Sequence, residues 1–229
     1  GNSGGVSRVG RGVQQSLAMP WFRRRSMDEA TFERLVAAHP PATIVDTIRP
    51  YVTEARQAKI ERLLADRLPT ISVAIEAPSD PHNAAAVVRT AEALGVLSVH
   101  VIATEGRALH AKSTTQGAFH WVRTHHHATL PSFLEHPALQ DVALYGAWMD
   151  AEYRLDTLPV DRPMCLLFGN ENRGVSPEAR AACTAGFRIP MFGMSESLNL
   201  SVSAAISLYD VTRRHRDAGA VGLDPATCD

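Results

Sequence analysis

Three short stretches crowd polar side chains where an apolar run ends. Asp80-Pro81-His82-Asn83 leads into a helical pattern that carries Arg89. Gly169 is followed by Asn170-Glu171-Asn172-Arg173-Gly174, and Ser195-Glu196-Ser197-Leu198-Asn199 precedes the last helical pattern. A carboxylate such as Glu171 at a strand tip suits the orienting of a substrate group, and arginine offers a phosphate a bidentate fork. None of the three is a Walker loop or a dinucleotide fingerprint. Helix capping is the plainer reading: Asn83 starts one helix, Ser176-Pro177 a second, and Ser197 or Asn199 a third. One cap needs one such residue, yet the last turn holds four. Ser197 as a hydrolase nucleophile lacks both a GxSxG elbow and an evident histidine partner. The run His125-His126-His127 invites a metal, but consecutive residues point different ways, so it reads as a polar loop or strand edge.

These clusters need elements to hold them. "MDEATFERLVAAH" reads as a helix with Phe32, Leu35 and Val36 on one face, ended by Pro40-Pro41. "VTEARQAKIERLLADRL" reads as a second, capped by Thr53, with Ala55, Ile60, Leu63 and Leu64 inward. Strands follow as "TISVAIEA", "LSVHVIA", "DVALYGAWM", "PMCLLFG" and "GFRIPM". Helices fall between and after them as "HNAAAVVRTAEALG", "SPEARAACT" and "NLSVSAAISLYDVTRRH". In the first of these Val87, Ala91 and Leu94 face inward, and in the last Val202, Ala205, Ile206 and Tyr209. Arg89 falls opposite that first stripe, among Ala85, Ala86 and Ala93. Residues 113–140 follow no single pattern. Alternating strands and helices predict an α/β fold, a mostly parallel sheet with helices on both faces. In such sheets ligands bind beyond the carboxyl ends of the strands, where the three clusters fall.

Composition narrows the class. No run of about 18 apolar residues occurs, which argues against a membrane span. Cys165, Cys183 and Cys228 are odd in number and widely spaced, with no CxxC. That argues for a reducing, cytoplasmic compartment and against a disulfide framework or zinc site. A net charge of −1 announces no nucleic-acid binder. The 21 arginines against 2 lysines are a bias that genome base composition alone produces. Local basic clusters say more: Arg23 to Arg25, then Arg56, Lys59, Arg62 and Arg67, then Arg213, Arg214 and Arg216. The first 26 residues are Gly/Ser/Arg-rich without an apolar signal core, and read as a disordered extension before a start near Met27.

Taken in order, the clusters resemble the SpoU/TrmH family of RNA ribose 2′-O-methyltransferases, within the SPOUT superfamily. Its first motif resembles Asn83…Arg89…Gly95-Val96. Its second resembles Phe168-Gly169-Asn170-Glu171…Gly174-Val175-Ser176, and its third Arg188-Ile189-Pro190-Met191…Ser197-Leu198-Asn199…Ser201. The likeness spans about residues 50–215. "TTQGAFHWV" and "DRP" look like the branch that methylates a guanosine in the tRNA D-loop.

The resemblance implies a C-terminal trefoil knot, against the general rule that chains do not thread loops. It implies four parts: a disordered extension (1–27), a helical RNA-binding extension (28–68), the methyltransferase domain (69–216) and a flexible tail (217–229). The cofactor implied is S-adenosylmethionine, without a metal, held at Gly169, Ile189, Leu198 and Ala147. The catalytic set carried over is Asn83, Arg89, Glu171, Ser197 and Asn199, with Arg89 clamping a phosphate. The partners implied are tRNA and a second copy of the chain, with no membrane. RNA contacts fall to Arg56, Arg62, Arg67, Arg213, Arg214 and Arg216, although His215 interrupts the last run. Guanosine 18 of tRNA is the leading target. Ribosomal RNA, another tRNA position, and a catalytically silent RNA binder stand as alternatives.

Overall fold

The structure, a computed structural model, describes residues 29–103 and 121–219. The chain divides into two units, 1–51 and 52–229. In the first, α1 (Glu29–Ala38) gives way to α2 (Pro41–Ile48) and a 3₁₀ turn over Arg49–Tyr51. The proline pair that ends α1 also starts α2, which the sequence pattern did not announce. Pro40 is extended (φ −56°, ψ 139°), as a residue before proline must be, and Pro41 occupies the first turn of the new helix.

The second unit opens with α3 (Glu54–Ala65), where the Thr53 hydroxyl accepts from the Arg56 amide. Ile60, Leu63 and Leu64 are half-buried, and Ala55 is exposed. Among the described residues seven strands follow: β1 (Leu68–Glu76), β2 (Val96–Ile102), β3 (Arg123–His127), β4 (Ala143–Ala147), β5 (Tyr153–Arg154), β6 (Met164–Phe168) and β7 (Ala185–Arg188). They form one sheet in the order β3-β2-β1-β6-β4-β7-β5, and every pair is parallel. The sheet is covered on both faces, so its central strands read as unbroken apolar runs. Ile71, Val73, Ile75, Tyr145, Met164, Leu166 and Phe168 pack on one side with α4 (Pro81–Ala93) and α7 (Leu200–Asp217). Ala74, Ile102, Leu144, Cys165 and Leu167 pack on the other with residues of α5 (Leu130–Leu134) and α6 (Pro177–Ala182).

Two strands escaped the periodicity. β5 has only two residues, and β3 reads Arg-Thr-His-His-His, with no apolar side chain to signal it. β3 exists through its ladder to β2, from Ser98↔Arg123 to Ile102↔His127. Most of the stretch 114–122 lies outside the described residues.

Two helix assignments change. Asp80, not Asn83, caps α4: its carboxylate accepts from the His82 amide at 2.8 Å. On α7 the buried stripe is Leu200, Ala204, Leu208 and Val211, together with Ser207, Thr212 and His215. Val202, Ile206 and Tyr209, expected inside, are 44, 41 and 62% exposed. α7 carries two apolar stripes, and packing against α4 selects the one bearing the leucines.

Gly95 closes α4 at φ +83°, a left-handed conformation that side-chain-bearing residues avoid. A Cβ there would stand 2.7 Å from the Asp66 carbonyl oxygen and 2.8 Å from the Arg216 guanidinium. Gly95→Ala is therefore expected to lower stability by about 1–3 kcal/mol. Urea unfolding midpoints check this, and an unchanged midpoint would mean that the turn relaxes freely.

Candidate functional site

The strand order reverses direction between β1 and β6, so connections leave both carboxyl ends around one crevice. All three polar clusters meet there. The Ser79 amide donates to Glu171 Oε2 at 2.8 Å, and Asn83 Nδ2 donates to Glu171 Oε1 at 2.9 Å. Asn199 Nδ2 donates to Asn83 Oδ1 at 3.1 Å. Asn199 Oδ1 in turn accepts from the Ser201 amide and hydroxyl at 2.8 and 2.7 Å. One chain of hydrogen bonds thus joins residues more than a hundred positions apart.

Each link has a local cause. Because Asp80 takes the cap of α4, the Asn83 side chain is free to face the other loops. Asn199 does cap α7, but with its oxygen only, which leaves its amide nitrogen for Asn83. The turn after β6 is closed by paired backbone bonds between Asn170 and Gly174, at 3.0 and 2.8 Å. A Cβ on Gly169 would lie 2.0–2.2 Å from the Gly174–Val175 backbone, so this turn admits no side chain. Asn170 Nδ2 bonds the Ala77 carbonyl and the Ser79 hydroxyl, at 2.7 and 2.8 Å. Ala77 itself has φ 46°. Ser79 and Asn170 belong to the site, and sequence reasoning gave neither a role. The Pro78…Pro81 pair bracketing Ser79 was the available signal of a fixed turn.

Partial burial works against ionisation of Glu171, but the Ser79 amide and the Asn83 carboxamide outweigh it and hold the acid down at about 2. Glu171 is therefore an anion throughout the working range, an anchor rather than a proton carrier.

Arg89 is exposed on α4, and Ser197 is exposed just before α7. Neither joins the hydrogen-bonded chain. Of the alanines near Arg89, Ala85 is buried, Ala86 half-buried and Ala93 exposed. Ala147, Gly169 and Ile189 sit at or just past the carboxyl ends of three adjacent strands, β4, β6 and β7. All three are half-buried, and Leu198 is 38% exposed beside Asn199. Among the described residues no group of three or more His, Cys, Asp or Glu is arranged to hold a metal ion.

The arginines divide sharply. Arg56 and Arg62 are exposed on α3. Arg67 is only 3% exposed; it pairs with Glu92 Oε1 at 3.1 Å and donates to the Glu92 carbonyl at 3.0 Å. It thus ties the start of β1 to the end of α4, and its guanidinium is not presented to an outside partner. Arg214 binds Asp210 and the Leu155 and Leu158 carbonyls, and Arg216 reaches the Asp66 and Leu94 carbonyls. Arg213 is exposed beside Asp210 and Asp217. His215 is buried, with its ring against the Val211 carbonyl, which explains why no arginine stands there.

Known proteins match this arrangement. Residues 70–209 match the family model described as the SpoU rRNA Methylase family. The chain is 36% identical over 178 residues to a tRNA (guanosine(18)-2′-O)-methyltransferase of Thermus thermophilus, covering 76% of this chain and 91% of that protein. The crystal structure of an Aquifex aeolicus TrmH/SpoU tRNA modifying enzyme superposes with a TM-score of 0.66 at 30% identity, over 73% of this chain and 86% of that one. The SpoU methyltransferase AviRb of Streptomyces viridochromogenes, solved with AdoMet, gives 0.60 at 25% identity, over 68% and 62%. The chain belongs to the SpoU methylase family.

Proposed function

We propose that this protein transfers a methyl group from S-adenosylmethionine to a ribose 2′-hydroxyl of RNA, and that guanosine 18 of tRNA is its target. The observation that carries the reading is the hydrogen-bonded chain Glu171–Asn83–Asn199–Ser201, which unites the family's three motifs at one strand-end crevice. The named relative supports the choice of tRNA and of that nucleotide.

The crevice suits the cofactor in kind. Ala147, Ile189 and Leu198 are part-exposed apolar walls, and Gly169 contributes backbone without a side chain. When bound, the cofactor supplies an electrophilic methyl group; the rest of the work is positioning. Glu171, permanently ionised, fixes Asn83, and Asn83 fixes the turn before α7. Ser197 and Leu198 are thereby presented from a held loop. Arg89 is exposed and its guanidinium is always charged, so it serves as a clamp on the phosphate beside the target ribose rather than as a base. The hydroxyl proton leaves late in the transfer.

Three further parts belong to the same reading. The C-terminal segment is threaded as a trefoil knot, in keeping with β6 lying between β1 and β4 and with α7 returning to α4. The helices over 28–68 hold RNA by its phosphates, led by Arg56 and Arg62, with Arg213 at the end of α7. Two copies pair through the outward stripe of α7, where Val202, Ile206 and Tyr209 leave an apolar surface contiguous along one helix face.

Four outcomes test this reading. Labelled cofactor incubated with unmodified tRNA and ribosomal RNA should label tRNA, and mapping should place the 2′-O-methyl group at guanosine 18. Label confined to ribosomal RNA, or absent from both, would overturn the target. Arg89→Ala should lower kcat by about a hundredfold or more while S-adenosylmethionine binding by calorimetry stays near wild type. Arg56→Ala with Arg62→Ala should weaken tRNA binding and flatten the salt dependence of log K by about 2. Val202→Asp with Ile206→Asp should convert a sedimenting dimer to monomer; a wild type that sediments as a monomer refutes the pairing.

A further inference from the structure

Away from the crevice, on the α5 side of the sheet, four imidazoles are packed together. His100 on β2 is fully buried. Its ring stacks on His125 at 4.7 Å and on His127 at 5.2 Å, with interplanar angles of 19 and 21°. His125 and His127 lie two apart on β3 and so share one face. His136, just after α5, meets all three rings edge-on at 4.5–5.3 Å. Phe133 closes the group from α5.

The wiring of the cluster opposes charging all of its rings. His100 Nδ1 and His127 Nε2 are 3.0 Å apart, so one must donate and the other must accept. Two imidazolium ions would present two donors to each other. His100 Nε2 is buried with no hydrogen-bond partner among the described residues, so a second proton on this ring would leave a buried cation with one N–H lacking an acceptor. His136 Nδ1 accepts from the Ala138 amide at 3.2 Å, which holds this ring against the other three.

Among the described residues no acid offsets this. On β2 His100 is the only ionisable side chain, and on β3 the neighbours are Arg123 and His126, both exposed. α5 reads Leu-Pro-Ser-Phe-Leu, and Glu135 at its end is solvent-exposed. Burial comes first in depressing His100, to about 3, and the three neighbouring histidines add to it. Burial, then His136, His127, Arg123 and His126, depress His125 to about 4. His127 is lowered as well, by burial first, with only a Ser132 backbone bond acting the other way.

β3 has little else to hold it. Among the described residues it lies at the sheet edge, paired to β2 alone, and it contributes no apolar side chain. We propose that the four-histidine cluster is an acid-labile latch: it holds β3 on the sheet while its rings are neutral, and mild acid releases that strand ahead of the rest of the fold. The folded values lie below the 6.5 of an unperturbed ring, so the released strand binds protons first. The latch therefore has full strength above about pH 6.5 and weakens as pH falls from there through the folded values.

Amide hydrogen exchange of the full chain, read by mass spectrometry from pH 7.5 to 5.0 and divided by intrinsic rates, tests the latch. Protection of residues 123–127 should fall roughly tenfold or more per pH unit below about 6.5, while β1 stays flat. His125→Gln and His100→Leu should each reduce that slope. If His100→Leu does not fold, His125→Gln decides, since its ring is only half-buried. Parallel loss in β3 and β1, or a wild-type slope in the variants, would overturn the proposal.

Discussion

A single carboxylate fixes the geometry of the crevice. Glu171 projects from a turn closed by paired backbone bonds between Asn170 and Gly174 and packed so closely on Gly169 that no side chain fits there. From that fixed point the carboxylate accepts one bond from the backbone after β1 and one from the first turn of α4. The second of those groups carries the constraint on to the cap of α7. Charge-assisted bonds of this kind are shorter and stronger than neutral ones. The anchoring anion is therefore the right member to sit at the start of the chain.

The parallel sheet makes this economical. Every strand runs the same way, so every strand-to-helix connection on one rim leaves from a carboxyl end. Loops distant in sequence then need only short side chains to touch. The backbone supports the same meeting point: the Ala77 amide donates to Ile102 on β2, and its carbonyl accepts from Asn170 beyond β6. That single residue ties three neighbouring strand ends together. Its left-handed conformation is the local strain that the contact requires.

Much of this was readable in the residues, and the exceptions have physical causes. Strands β1, β2, β4 and β6 announced themselves because both faces are covered, which demands continuous apolar runs. β3 did not, because its stability comes from backbone pairing and stacked imidazoles rather than from hydrophobic burial. The histidine run was read as residues pointing apart. In a strand that holds for neighbours but not for His125 and His127, and no local pattern placed His100 and His136 between them. The stripe of α7 was misassigned because both candidate faces are apolar, and only the partner helix distinguishes them. Capping was ambiguous at α4 for a related reason: Asp80 and Asn83 are both good caps, and the structure gives that role to Asp80. Arg67 belonged by sequence to a basic face, yet its depth was set by Glu92, a residue from another helix.

The middle link of the chain has a direction. Asn83 donates from its nitrogen to an anion and accepts at its oxygen from another amide, so the carboxamide can sit only one way round. Aspartate has nearly the same shape but no donor. In its place it would set a second negative charge against Glu171. Hydrolysis of that one amide, the commonest spontaneous chemical ageing of asparagine, would therefore turn the clasp between motifs into a repulsion without changing its volume. The integrity of the crevice over the protein's lifetime rests on a bond that no packing defect would reveal.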